Sequence, residues 1–175
     1  SLVRGDGFSE EFKRAGRAGI RQRILLRLTP GIDPHTHEKI NTGKVDCKFG
    51  VAIETGQAEE ITRLALSLSH IELRGFHCHV GSQVFDSDVY MRAAAVMLDF
   101  VAHVYEKLGY MADELDIGGG YGVRYVSEQP EIDIAANIRE VADGRCDEVE
   151  NPAFHGIFFK LGDVSFLGKA HGRPH

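Results

Sequence analysis

The chain has 175 residues, 43% of them apolar, 26% charged and 9% aromatic, an ordinary globular composition for one domain with its own core. A formal net charge of -6, with no cluster of Lys and Arg interleaved with aromatics, argues against nucleic acid or an anionic membrane surface as partner and leaves small molecules as the expected ligands. No apolar run approaches the roughly 20 residues a bilayer demands, the start carries no signal-peptide core, and the cysteines Cys47, Cys78 and Cys146 lack C-x-x-C spacing, so the expectation is a cytoplasmic protein with reduced thiols, no disulfide framework and no structural zinc.

Residues 1–19 mix glycines with charged residues and support at most a short helix, Phe8 and Phe12 lying at helical spacing. Arg23-Ile24-Leu25-Leu26-Arg27-Leu28-Thr29-Pro30 is a near-continuous apolar run closed by proline, which predicts a parallel strand buried on both faces. Arg27 is the anomaly in it: a guanidinium must reach an anion past the strand end or meet a carboxylate inside. Residues 31–50 form a long polar loop with His35-Thr36-His37, Asn41-Thr42-Gly43-Lys44 and Lys48-Phe49-Gly50. Its histidines have no acidic or cysteine partners at ligand spacing, so solvated side chains are the expectation there. Residues 57–69 then place Ile61, Leu64, Ala65 and Leu68 on one face of a helix covering a sheet.

The centre of the chain holds the chemistry. In residues 71–83, strict alternation puts Ile71, Leu73, Gly75, His77 and His79 on one side of a strand, and Glu72, Arg74, Phe76, Cys78 and Val80 on the other. Asp86-Ser87-Asp88 and the apolar positions Val89, Ala93, Met97, Phe100, Val104 and Leu108 give an acidic start and one long amphipathic helix. Glu114-Leu115-Asp116-Ile117 is an apolar strand that stops at Gly118, Gly119 and Gly120, where backbone N–H groups can approach an anion without Cβ interference. The glycines do not fit the dinucleotide fingerprint, because its third glycine would fall at Val123. Their bland reading is a tight strand–helix turn; that of His77 and His79 is a pair of inward core residues. Cys78 reads as a small buried hydrophobe.

Further on, Ile134, Ile138 and Val141 sit at helical spacing after Pro130 and Asp133, residues 156–161 suit a strand, and residues 166–175 have no apolar period and read as a frayed end. Repeated alternation of strand and helix predicts a parallel sheet or barrel with right-handed crossovers. In a (β/α) barrel, Arg27, His79, Ser82 and Gly118–Gly120 would meet at the carboxyl ends of three successive strands, where sites form.

His77-Cys78-His79-Val80-Gly81-Ser82-Gln83 and Leu115-Asp116-Ile117-Gly118-Gly119-Gly120-Tyr121-Gly122 resemble motifs of the pyridoxal-phosphate decarboxylases with an alanine-racemase-like barrel. Within that group, Asp33 to Lys44 and Lys48-Phe49-Gly50 resemble the diaminopimelate decarboxylases rather than the ornithine or arginine enzymes. The likeness covers roughly residues 20–125, and the family-like core extends to about 142. It implies part of an alanine-racemase-like (β/α)8 barrel, about strands four to six, a parallel sheet with flanking helices, and pyridoxal 5'-phosphate as cofactor. It further implies that His79 stacks on the cofactor ring, that Ser82 and the amides of Gly118, Gly119 and Gly120 hold the phosphate, and that Arg27 lies near the phenolic oxygen. No metal is implied. The reaction implied is decarboxylation of meso-diaminopimelate, a small amino acid, to L-lysine in lysine biosynthesis.

The chain also departs from that pattern. The lysine that bonds covalently to the cofactor, in an aromatic-x-x-Lys-Ala-Asn context, has no counterpart; nor do the Glu-Pro-Gly-Arg segment and the β-domain with its Cys-Glu-Ser motif. No catalytic residue is identifiable. Residues 1–19 and 143–175 do not match, so the expectation is one incomplete barrel domain over 1–175, inactive alone and oligomeric or aggregation-prone because a closed barrel of about 250 residues would hide its edges and apolar face. Family members are homodimers that place residues of two subunits in each site. Two other functions stay open: a non-catalytic module binding pyridoxal phosphate or phosphate, and a zinc-dependent hydrolase using His77, His79 and Asp116.

Overall fold

The computed structural model describes residues 2–3, 8–32, 50–82, 84, 86–120, 153, 157–161 and 164–167. The predicted loop features at 33–49, the helix at 132–141, Cys146 and the terminal stretch 168–175 lie outside them. The elements run β1 (Leu2–Val3), α1 (Phe8–Ala18), β2 (Gln22–Thr29), β3 (Val51–Ala52), α2 (Gln57–Ser67), β4 (Ile71–His77), α3 (Ser87–Leu108), β5 (Glu114–Asp116), β6 (Phe158–Leu161) and β7 (Val164–Leu167). The sheet order is β1-β2-β4-β5-β6-β7, with β3 also pairing β2. All pairings are parallel except β6–β7. This is an arc of a (β/α)8 barrel with helices on its outer side, as the strand–helix alternation predicts.

Local chemistry explains the helices. Asp86 caps α3, its side chain accepting from the Asp88 amide at 3.0 Å, and Gly109 ends the helix in the left-handed region at φ 66°. Between them Val89, Tyr90, Ala93, Ala94, Met97, Phe100, Val101 and Val104 are buried against the sheet. Phe76 sits at the heart of this layer, edge-on to Phe100 at 5.2 Å and to Tyr110 at 6.2 Å, while the Tyr110 hydroxyl donates to the Leu73 carbonyl at 3.0 Å. Burial pushes the Tyr90 hydroxyl up to about 12. In α2 the buried stripe is Ala58, Thr62 and Ala65; Leu64, expected to face inward, is 49% exposed because the small alanines and Thr62, bonded to the Ala58 carbonyl at 2.6 Å, take the contact.

The structure corrects four further expectations. Strand β2 is buried on one face only, by Ile24, Leu26 and Leu28, whereas Leu25, Arg27 and Thr29 are half-buried on the other. The start of the chain forms an eleven-residue helix preceded by a short parallel strand. Phe166 and Leu167 belong to β7 rather than a frayed end; two residues separate β6 from β7, and so short a link permits only antiparallel pairing.

The fourth correction concerns β4. Ile24 pairs Leu73 but Leu25 pairs Gly75, so Arg74 is an extra residue, a β-bulge that reverses the alternation. Ile71 and Leu73 therefore share the helix-facing side with Phe76 and Cys78, and not with His77 and His79. Gly75 sits at the reversal with φ 154°, and a Cβ there would run into the Glu114 carbonyl of the neighbouring strand.

Candidate functional site

At the carboxyl end of the sheet, register aligns one residue from each of four strands: Arg27 on β2 pairs His77 on β4, which pairs Asp116 on β5, which pairs Lys160 on β6. Because Leu26, Phe76 and Leu115 one position earlier are fully buried on the helix side, Arg27, His77 and Asp116 face the opposite, inner side. His77 Nδ1 lies 3.2 Å from Asp116 Oδ2, the two side chains only 13% and 14% exposed. The other oxygen, Asp116 Oδ1, accepts from the Gly118 N–H at 2.8 Å.

Beyond the row the backbones of β4 and β5 converge. The Cys78 N–H donates to the Asp116 carbonyl at 2.8 Å and the Val84 N–H to the Gly120 carbonyl at 2.9 Å, tying the segment after β4 to the glycine turn. Gly118 and Gly120 both have left-handed φ, 81° and 99°. A Cβ on Gly118 would stand 2.6 Å from the Cys78 carbonyl and 3.2 Å from His79 Nδ1; one on Gly120 would strike the Gly81 carbonyl and lie 3.2 Å from His79 Cε1. Glycine is required at both positions for conformation and for space. The space a side chain would fill is occupied by the His79 ring and the Gly81 backbone.

The structure thus brings His79 and the Gly118–Gly120 turn together at the strand end that also carries Arg27. Ser82 is exposed on the segment between Gly81 and Val84, both of which touch the turn. His79 is exposed, and partial burial followed by the Arg27 and His77 charges holds its imidazole below the ordinary value of 6.5 despite Asp116. The ring thus lies against the glycine turn and within electrostatic reach of Arg27. Sequence reasoning grouped Asp116 with His77 and His79 only as a metal ligand in the hydrolase alternative and missed its bond to the glycine turn. Its signal was there to read: an aspartate two residues before a glycine is turn chemistry, the carboxylate bonding a backbone N–H two residues on.

Cys78 takes no part. It is fully buried on the helix side, its Sγ 3.7 Å from the Ile117 carbonyl, and burial with the Asp116 charge pushes the thiol far above its ordinary range. Among the described residues no group of three His, Cys, Asp or Glu side chains is disposed to hold a metal ion. A cleft of about 320 Å³ lies elsewhere, lined by Pro30, Ile53, Glu54, Glu59, Phe100 and His103, and none of the residues expected to hold cofactor lines it. Within the described residues no helix is long and apolar enough to cross a membrane.

Comparison with known proteins gives the family and the fold. Residues 7–155 match the family described as pyridoxal-dependent decarboxylase, pyridoxal binding domain. The chain is 41% identical over 128 residues to diaminopimelate decarboxylase of Corynebacterium efficiens, covering 73% of this chain and 27% of that protein. It is 39% identical over 122 residues to diaminopimelate decarboxylase of Bacillus methanolicus, covering 70% of this chain and 28% of that one. The crystal structure of diaminopimelate decarboxylase from M. jannaschii in co-complex with L-lysine superposes with a TM-score of 0.69 at 28% identity, over 89% of this chain and 37% of that one. This chain therefore spans less than a third of the length of those curated relatives.

Proposed function

The chain belongs to the pyridoxal-dependent decarboxylases through that family's pyridoxal-binding domain, and on that footing we propose that it is a barrel domain seating pyridoxal phosphate for the decarboxylation of meso-diaminopimelate to L-lysine. The observation that carries this reading is the pair of left-handed glycines, Gly118 and Gly120, against which His79 and Gly81 lie at distances that admit no side chain. With the Gly118 amide bonded to Asp116, the proposed phosphate contacts of such a turn are the amides of Gly119 and Gly120. When bound, pyridoxal phosphate supplies the electron sink for the departing carboxylate.

This chain's own residues have the following proposed roles. Ser82 and the Gly118–Gly120 turn hold the phosphate, His79 lies flat against the ring in its neutral form, and Arg27 answers the phenolic oxygen. The apolar layer of Phe76, Leu115 and Ile117 beneath the site, all buried, fixes the strand ends that carry these groups. The substrate assignment is supported by the relatives, which are diaminopimelate decarboxylases, one of them crystallised with L-lysine.

No lysine of this sequence sits in the aromatic-x-x-Lys-Ala-Asn context of the family's covalent link. The isolated chain is accordingly expected to bind reversibly and to release no carbon dioxide from diaminopimelate. Titration with pyridoxal phosphate, with absorbance spectra before and after borohydride, tests this. Saturable binding displaced by inorganic phosphate, with no borohydride-fixed adduct, is the expected result. Absence of saturable binding overturns the proposed seat, and a fixed adduct overturns the reversible mode.

A further inference from the structure

We propose that Asp116 is the positioning residue of the glycine turn: one carboxylate oxygen holds the Gly118 amide within the protein, leaving the Gly119 and Gly120 amides to meet an incoming phosphate. This rests on the pyridoxal-phosphate reading and refines it, since a turn of three glycines offers amides that are not equivalent.

Three successive glycines carry more backbone freedom than any other tripeptide, and an anion seat built from them binds well only if its conformation is set in advance. Asp116 supplies that constraint. The Gly118 N–H donates to its Oδ1 at 2.8 Å, a charge-assisted bond that fixes the first glycine at φ 81°. The amide spent on Asp116 is not free for a ligand.

A carboxylate this close to a phosphate seat would repel a dianion unless its charge were offset. Its second oxygen stands 3.2 Å from His77 Nδ1, and Arg27 follows His77 in the same cross-strand row. Arg27 and Asp116 act with opposite sign on Cys78 and His79, both of which border the turn at Gly118. The row therefore does two things: it holds the turn, and it keeps the device that holds it from expelling the ligand.

The test is amide hydrogen exchange of the full 175-residue chain, with parallel titrations by pyridoxal phosphate and by inorganic phosphate. In Asp116→Ala, the Gly118 amide is expected to exchange at least about tenfold faster relative to the Leu115 amide, and both ligands to bind about tenfold more weakly. Asp116→Asn keeps an acceptor at the same place and is expected to restore both to near wild type, a rescue that a purely electrostatic role would not give. In the unsubstituted chain, added phosphate is expected to shift the Gly119 and Gly120 amide resonances and leave Gly118 in place. That arm needs no variant to fold.

Unchanged Gly118 exchange in Asp116→Ala, or a Gly118 resonance that moves most on phosphate addition, overturns the proposal. If the unsubstituted chain binds neither ligand while Gly118 exchange still accelerates in Asp116→Ala, the cofactor reading falls and the role of Asp116 in holding the turn stands. If the chain binds both ligands and Gly118 exchange is indifferent to Asp116, the reverse holds.

Discussion

The two ends of the same three strands both carry charge, yet they are built for different work. At the amino end of β2, β4 and β5, Arg23 meets Glu72 at 3.4 Å, Glu72 meets Arg74 at 3.2 Å, and Arg74 meets Asp113 at 3.1 Å. These are alternating pairs in contact with water, Arg23 being 73% exposed, and each contributes at most about 1 kcal/mol. At the carboxyl end, Arg27, His77 and Asp116 stand in a row on the inner face, with His77 and Asp116 largely buried, and the backbone beyond them turns through left-handed glycines. Charge alone does not mark a site. The proposed site instead sets desolvated charge beside a pre-shaped backbone.

The bulge at Arg74 separates the ends, and breaking it should have the largest effect. Gly75→Ala places a Cβ against the Glu114 carbonyl, so β4 and β5 must part. The expected loss is about 3 kcal/mol or more in urea unfolding, or no soluble fold. An unfolding midpoint equal to that of the parent chain would mean the bulge does not set which residues face the site.

Gly120→Ala acts at the carboxyl end alone, where φ 99° and the Gly81 carbonyl both oppose a side chain. Binding of pyridoxal phosphate should fall at least about 100-fold while stability drops by about 1–3 kcal/mol. Retained affinity in isothermal titration would remove the glycine turn from the site. Arg74→Gln at the amino end sharpens the contrast: about 0.5–1 kcal/mol of stability is expected to go, with ligand affinity unmoved.

The smallest effect concerns pH. Folding lowers the proton affinity of His79 below 6.5, so the unfolded chain binds more protons just beneath that pH. Its contribution to stability is therefore lost as pH falls from about 6.5 to the lowered value and is unaffected above. Chemical denaturation of His79→Gln across pH 7 to 5 should show a shallower decline than the parent chain; equal slopes would contradict the shift.

Much of the carboxyl end was legible in the sequence, because its signals are local. Glycines ending an apolar strand, an x-His-x-His alternation and the Asp86 cap each follow from chemistry within a few residues, and the long α3 runs from Ser87 to Leu108 much as its apolar period predicts. What escaped depends on neighbours far along the chain. The bulge exists only in the register of β4 against β2, so strict alternation misassigned Ile71 and Leu73 while still pairing His77 with His79 correctly. Strands β1 and β3, two residues each, are held by pairing with β2 and have no period of their own. Leu64 looked like a core residue by spacing, but α2 packs through its alanines and Thr62.

The account stands or falls on where the ligand touches. Backbone amide shifts recorded while pyridoxal phosphate is titrated into the chain should concentrate at Gly119, Gly120, Ser82 and His79, with Arg23, Glu72, Arg74 and Asp113 silent. Shifts centred on the amino end, or spread evenly over both, would contradict it.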